Sequence, residues 1–312
     1  MWLMLRLALL LALICPAFGQ LPEFYKTVSR VTWVTPDTAR TAAAWAKFGL
    51  SELESHGEAD LPAEFRGKPA VGRVRWSVAW FGPVAVDFIE PSGDGNAFAE
   101  FLKKHGEGVF ALMHETGSLE ALEREVERLR GLGVAVLQRA SEPVPHVYFD
   151  TAERGKYVLG LVAGAERREA PARITQFAFA IREIAPVSGY WKALGWPAMT
   201  VTRSVPRDMV YRGKPVQYEL EIGWQRHGKV GYEWCVAAAG VPSVYRDHID
   251  RYGEGVQHFG IPVPDMDAAL AEKSYAVVQG GAWGEAGKKG SGRYAYLDTP
   301  GGLNAELLWS FR

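Results

Sequence analysis

The chain has 312 residues, 48% hydrophobic and 23% charged, with a formal net charge of -1. That length holds two domains, each large enough for a core of its own, and the composition is that of ordinary globular proteins. A charge so near zero supplies no field to gather nucleic acid or an anionic membrane surface, so the expected partner is a small molecule.

The N-terminus reads as a targeting segment. Arg6 gives a short positive region, Leu7 to Ile14 is an unbroken apolar run, and Ala17-Phe18-Gly19 is a small-x-small cleavage site. Residues 1–19 are therefore expected to be a signal peptide, cleaved after Gly19, with the mature chain secreted or periplasmic and free of the membrane. The run is short for a bilayer span, which leaves an uncleaved anchor as the alternative. Cleavage removes Cys15 and leaves Cys235 alone, so no intramolecular disulfide can form.

Arg30 to Thr35 reads as a strand, Thr38 to Phe48 as a helix and Ala85 to Ile89 as a strand. Leu119 to Leu132 is an amphipathic helix with Leu119, Leu122, Val126 and Leu129 on one stripe. His146 to Phe149 and Tyr157 to Leu161 are closing strands. After a small, polar join at 164–171, Ile174 to Ile181 alternates, with Gln176, Ala178 and Ala180 opposite Phe177, Phe179 and Ile181. A helix follows around Val187 to Leu194. Val230 to Val236 alternates again, with Glu233 opposite Tyr232 and Trp234. Val241 to Tyr252 is a helix, and Val256 to Ile261 a strand with His258 and Gly260 on one face. Asp265 caps a short helix to about Lys273. Gly280 to Gly292 reads as a solvated Gly-rich loop, and Arg293 to Leu297, Thr299 to Gly302 and Leu303 to Trp309 as strand, turn and strand. His114 reads as structural and His227 as an exposed turn residue.

Three anchors recur in order. Trp45 to Gly49 matches Trp191 to Gly195 (191 − 45 = 146), and Arg66-Gly67-Lys68-Pro69 matches Arg212-Gly213-Lys214-Pro215 (212 − 66 = 146). Gly106-Glu107-Gly108-Val109 matches Gly253-Glu254-Gly255-Val256 (253 − 106 = 147). A period this long is a duplicated domain, giving domains at 24–165 and 170–312.

In the second domain, four strands place Gln176, Glu233, His258 and Glu306 on their less bulky faces. One imidazole, two carboxylates and one amide oxygen suit a borderline or hard divalent ion, Zn, Ni, Fe, Mn or Co. The set has no thiolate, which argues against a structural zinc site. The equivalent residues of the first domain are Arg30, Asp87, Ala111 and Gly160. Arginine cannot coordinate and alanine and glycine offer nothing, so the first domain is expected to have lost its metal ligands.

Val86 to Pro91 followed by Phe101 to Gly108, and Thr299-Pro300-Gly301-Gly302 followed by Glu306, resemble the vicinal oxygen chelate superfamily. It holds glyoxalase I, methylmalonyl-CoA epimerase, bleomycin-resistance proteins and extradiol dioxygenases. The resemblance covers nearly all of the chain after residue 19. It implies an α+β fold of two tandem glyoxalase-like domains, each of paired βαβββ modules that form a curled mixed sheet around a cleft with helices outside. The family's metal ligands stand on the first and last strands of each module, where Gln176 and Glu233 fall in one and His258 and Glu306 in the other. This order is similar to that of eukaryotic-type glyoxalase I. Epimerases usually carry His where Gln176 stands, and the two-His, one-Glu triad of extradiol dioxygenases is broken by Gln176.

The resemblance implies one divalent ion in the second domain, stabilising an enediolate formed by proton abstraction beside a carbonyl. Glu306 would be the base and Glu233 its acid/base partner. The expected function is an exported metal-dependent lyase or isomerase of glyoxalase or epimerase type, acting on a small oxygenated substrate. The alternatives are a mononuclear iron dioxygenase, where tandem domains with an active C-terminal copy are typical, and a non-catalytic small-molecule binding protein. Pairing into a homodimer is left open.

Overall fold

The computed structural model describes residues 21–273 and 275–312. The signal segment expected at 1–19 lies outside them. Among the described residues no helix is long and apolar enough to cross a membrane.

The first half contains β1 (Arg30–Val34), α1 (Thr38–Ala46), β2 (Glu54–Phe65), β3 (Lys68–Phe81), β4 (Val84–Pro91), α2 (Ala97–His105), β5 (Gly108–Glu115), α3 (Leu119–Gly131), β6 (Val136–Ala140), β7 (His146–Phe149), α4 (Ala152–Gly155) and β8 (Val158–Val162). The strands close into a barrel in the order β1-β4-β3-β2-β6-β7-β8-β5. β1 lies parallel to β4 and antiparallel to β5. The long β2–β3 hairpin was not among the elements expected from the sequence. Its turn is Arg66-Gly67, with φ of 49° and 74°, the left-handed pair that a two-residue hairpin connection needs.

The second half contains β9 (Gln176–Ile181), α5 (Ile184–Ala193), β10 (Thr200–Ser204), β11 (Arg207–Tyr211), β12 (Lys214–Pro215), β13 (Leu220–His227), β14 (Val230–Val236), α6 (Val244–Tyr252), β15 (Gly255–Pro262), α7 (Met266–Lys273), β16 (Val277–Trp283), β17 (Gly292–Asp298) and β18 (Asn304–Ser310). Its sheet runs β10-β13-β14-β9-β15-β18-β17-β16-β11-β12. β9 lies between parallel β14 and antiparallel β15, as β1 lies between β4 and β5. β10 and β11, near opposite ends of that order, are joined by Val205 and Pro206 alone, so the sheet curls round. The strands start in step with those of the first half: β1 and β9 at 30 and 176, β4 and β14 at 84 and 230, β8 and β18 at 158 and 304.

One apolar core joins the two halves. Phe177 and Phe179 of β9 and Tyr232 and Trp234 of β14 pack in the same cluster as Trp33, Phe88 and the buried faces of α1, α3, α5 and α7. The opposite strand faces form two inner clusters. The first is filled by Phe98 of α2, Phe110 and Tyr148. The second is filled by Tyr245 of α6, Cys235 and Tyr296. The turn leading into β18 is held from the first half, since Trp33 Nε1 donates to the Gly301 carbonyl at 2.7 Å and Trp45 Nε1 to that of Pro300 at 3.0 Å.

Several local expectations are corrected. Leu119 is 52% exposed, and Glu125 takes a buried place on the α3 stripe. It can do so because Tyr25 and Arg128 both donate to it. Residues 280–283 belong to β16 rather than to a loop, paired with β17. His227 ends β13 and is half-buried. His114 is fully buried, with Nδ1 at 2.7 Å from the Thr27 carbonyl, and burial pushes its pKa down to about 4.

Candidate metal centre

The sheet order sets the site. β14, β9, β15 and β18 are consecutive neighbours, and each contributes one residue: Glu233, Gln176, His258 and Glu306. Small residues make the room. Gly260 pairs with Gln176 across β15 and β9, and a Cβ there would lie 2.2 Å from Gln176 Cγ.

The four side chains meet. His258 Nε2 is 3.2 Å from Glu233 Oε2 and 3.2 Å from Glu306 Oε2. The ligand atoms of these three residues lie within 4.8 Å of one another, and all three residues are buried. Gln176 Nε2 donates to Glu233 at 2.6 Å and to Glu306 at 3.0 Å. The sequence reading had Gln176 offering its carbonyl oxygen; here it offers the amide hydrogens, and turning the amide over brings the oxygen to the same place.

The charges are costly as they stand. Burial raises the pKa of Glu233, and the like charge of Glu306 adds to that against the hydrogen bond from His258. Burial alone would depress His258, but Glu306 and Glu233 outweigh it and hold the imidazole up to about 9. With neutral His258 the set carries two negative charges, which a divalent ion neutralises; an imidazolium cancels only one of them. The N/O donor set, the close approach of three ligand atoms and the charge balance all fit such an ion.

A pH dependence follows. A folded-state pKa of about 9 against 6.5 for free histidine means that His258 stabilises fully below about pH 6.5. That contribution is lost as the pH rises through 9. At 1.36 kcal/mol per unit it amounts to about 3 kcal/mol, and the raised pKa of Glu233 acts in the same sense. Urea unfolding in the presence of a chelator should therefore show stability falling by that order between pH 6.5 and 9. A level or rising profile would refute the assignment.

Residues 29–151 match the model of the Glyoxalase/Bleomycin resistance protein/Dioxygenase superfamily. The chain carries a vicinal oxygen chelate domain. The whole described fold is similar to that of a triple mutant of 4-hydroxymandelate synthase from Streptomyces coelicolor. Its TM-score is 0.62 at 14% identity, covering 91% of this chain and 92% of that one. It is also similar to a xylose isomerase-like TIM barrel/4-hydroxyphenylpyruvate dioxygenase fusion protein, with a TM-score of 0.53 at 13% identity. There the match covers 92% of this chain and 49% of the other. Likeness at such identities shows the fold. No curated protein matches the sequence.

In the vicinal oxygen chelate barrel of the first half, the equivalent positions are closed. Arg30 donates to Asp87, and Trp76 Nε1 donates to the same carboxylate at 3.3 Å. Ala111 is fully buried. Gly160 stands where the other half has Glu306, and a Cβ there would lie 2.6 Å from Met113 Cγ. Met113 in turn stands at the position of Gly260 (260 − 113 = 147). Size has thus been exchanged: a methionine fills the volume that glycine leaves free in the second half, and a guanidinium supplies the positive charge. The cavity left beside Arg30 and Asp87 is about 50 Å³.

The second half keeps its space. Gln176, Glu233 and Glu306 open onto a cavity of about 840 Å³ whose walls include Trp224, Trp283, Trp309, Tyr294 and Tyr296. Arg226 stands in its lining, 5.2 Å from the Trp224 ring, with no carboxylate partner among the described residues.

Proposed function

We propose that this vicinal oxygen chelate protein is a divalent-metal-dependent lyase or isomerase. It would be built from two duplicated domains, with the reaction confined to the second. The observation that carries the reading is the pair of buried carboxylates flanking one imidazole. A cation needs the imidazole and one carboxylate to be held; the second carboxylate is then a base placed beside the bound substrate. The ion, when bound, would act as a Lewis acid on substrate oxygens. Gln176, Glu233, His258 and Glu306 would hold it before substrate arrives, and Glu306 would leave it to serve as the base once substrate binds.

The remaining work falls to the chain's own residues. The Trp-lined wall receives the flat apolar part of a small oxygenated substrate and excludes water, and Arg226 suits an anionic group near the mouth. Glu306 would take a proton from the carbon beside a carbonyl, and Glu233, entering the cycle protonated, would deliver its own proton to the product, so that the pair ends with one proton as it began. No nucleic acid or membrane partner enters this reading, and export by the N-terminal segment stays a proposal beside it.

A second reading has its own support, since the two similar structures named above are a 4-hydroxymandelate synthase and a fusion protein that contains a 4-hydroxyphenylpyruvate dioxygenase. The test is common to both. The purified protein is reconstituted in turn with Ni²⁺, Zn²⁺, Fe²⁺ and Mn²⁺ and analysed for metal. It is then incubated in D₂O with small 2-oxo and 2-hydroxy carbonyl compounds. Uptake of about one ion and deuterium at the carbon beside the carbonyl, without oxygen consumption, is the expected result. Oxygen consumption with Fe²⁺ would replace it by the dioxygenase reading, and no metal uptake by a non-catalytic binding protein.

A further inference from the structure

His258 does not stand alone on its strand. Its Nδ1 lies 2.6 Å from Gln257 Oε1, Gln257 Nε2 donates to Asn304 Oδ1 at 2.7 Å, and Asn304 Nδ2 donates to the Leu297 carbonyl at 2.8 Å. The last acceptor is a backbone carbonyl, which has no hydrogen to give. That fixes every link: Asn304 must turn its amide hydrogens to Leu297, so its oxygen accepts from Gln257, so the Gln257 oxygen must accept from His258. Nδ1 therefore carries hydrogen, and the lone pair of a neutral ring sits on Nε2, the atom facing Glu233 and Glu306.

Neighbouring residues of a strand normally point to opposite faces. A β-bulge brings these two together. Val256 pairs with Phe179 and His258 with Ala178, leaving Gln257 as the unpaired extra residue. Bulges of this kind re-aim a side chain beside a site. Gln257 is fully buried, where its amide has no water to fall back on.

The first half supplies a comparison within the same chain. Its bulge is kept, between Thr32 and Trp33 of the partner strand, with Phe110 as the extra residue. Phe110 stands at the position of Gln257 (257 − 110 = 147) and Val158 at that of Asn304 (304 − 158 = 146). Both are core hydrophobes. Where Ala111 replaces the histidine, both amides are gone as well.

We propose that Gln257 and Asn304 are positioning residues that hold His258 in its Nδ1–H tautomer, so that Nε2 stays available to a divalent cation. The inference rests on the metal reading above. Outer partners of a ligating histidine typically carry 10–100-fold in metal affinity.

The probe is Zn²⁺, measured by competition with a chromophoric chelator, together with ¹⁵N-resolved NMR of the imidazole in the zinc-loaded protein. The wild type should show a protected Nδ1–H proton. Gln257→Leu should bind Zn²⁺ about 10–100-fold more weakly and lose that protection. Gln257→Glu keeps an acceptor for Nδ1–H and should recover much of the affinity. Asn304→Leu should lower it in the same direction. Circular dichroism and thermal melts identify variants that have not folded, and among Gln257→Leu, Gln257→Glu and Asn304→Leu any that fold carry the test. A wild type that binds Zn²⁺ while Gln257→Leu binds within twofold of it, with the proton still protected, overturns this inference alone. A wild type that takes up no divalent ion overturns the metal reading and this inference with it.

Discussion

Glu306→Gln should abolish turnover while leaving the metal in place. The amide keeps an oxygen on β18 in the position of the carboxylate, so the cation loses one charge of its surroundings and no donor atom. What disappears is the base. Proton transfer by a placed side chain contributes about 10²–10⁴-fold, and deuterium incorporation into the substrate should fall by that factor. Glu233→Gln tests the partner role. It should also slow exchange, and it leaves Gln176 donating to a neutral amide oxygen in place of a carboxylate. The measurement is deuterium incorporation by mass spectrometry at equal metal content, checked by elemental analysis of each variant. Exchange in Glu306→Gln within tenfold of the wild type would remove Glu306 from the chemistry, even if the metal site stands.

Part of the architecture was legible because three sequence anchors recur in order at offsets of 146 and 147. Gln176, Glu233, His258 and Glu306 stood out because each put a polar group on the small side of a strand whose other side was bulky. The structure brings all four together on adjacent strands. The β2–β3 hairpin was missed although β2 alternates, with Leu61 and Phe65 against the first inner cluster and Glu58 and Asp60 paired with Arg75 and Arg73 on the exposed face; Gly57, Ala59, Pro62 and Ala63 are residues that strands disfavour, and they weaken the signal. Glu125 was missed for a different reason. A carboxylate on an apolar stripe reads as a break until its partners, Tyr25 and Arg128, are known.

Gln257 and Asn304 were also missed, and the cause is informative. A bulge is a property of strand pairing, and no single strand contains it. One signal was present. Gln257 and His258 are successive polar residues inside Val256 to Ile261, and in a strand covered on both faces two successive polar side chains cannot both reach water. Either one pairs with the other or one is buried alone at a cost of a few kcal/mol. In the first half the same two positions, Phe110 and Ala111, are both apolar, which marks the pair as belonging to the site.

His258→Ala should have the largest effect on the protein itself. Metal content should fall to background, because the only imidazole of the set is gone and the remaining carboxylates do not select a borderline ion. In the presence of a chelator the variant should also be less stable, since removing one partner of a buried charge group strands the other. That cost is about 3–5 kcal/mol, here falling on Glu233 and Glu306 with only the Gln176 amide left between them. The loss has a pH signature that separates it from a simple cavity. The carboxylates can shed their repulsion by taking up a proton, and Glu233 already sits above its ordinary range through burial. The deficit relative to wild type should therefore shrink as the pH falls toward the carboxylate range and widen toward neutrality. A cavity left by a lost ring would instead give a deficit independent of pH. Urea unfolding of both proteins at several pH values between 4.5 and 7, with metal analysis at each, distinguishes the two. A constant deficit would mean that His258 packs the sheet without answering the charge of Glu233 and Glu306, and the reading of this cluster as a cation site would lose its electrostatic ground.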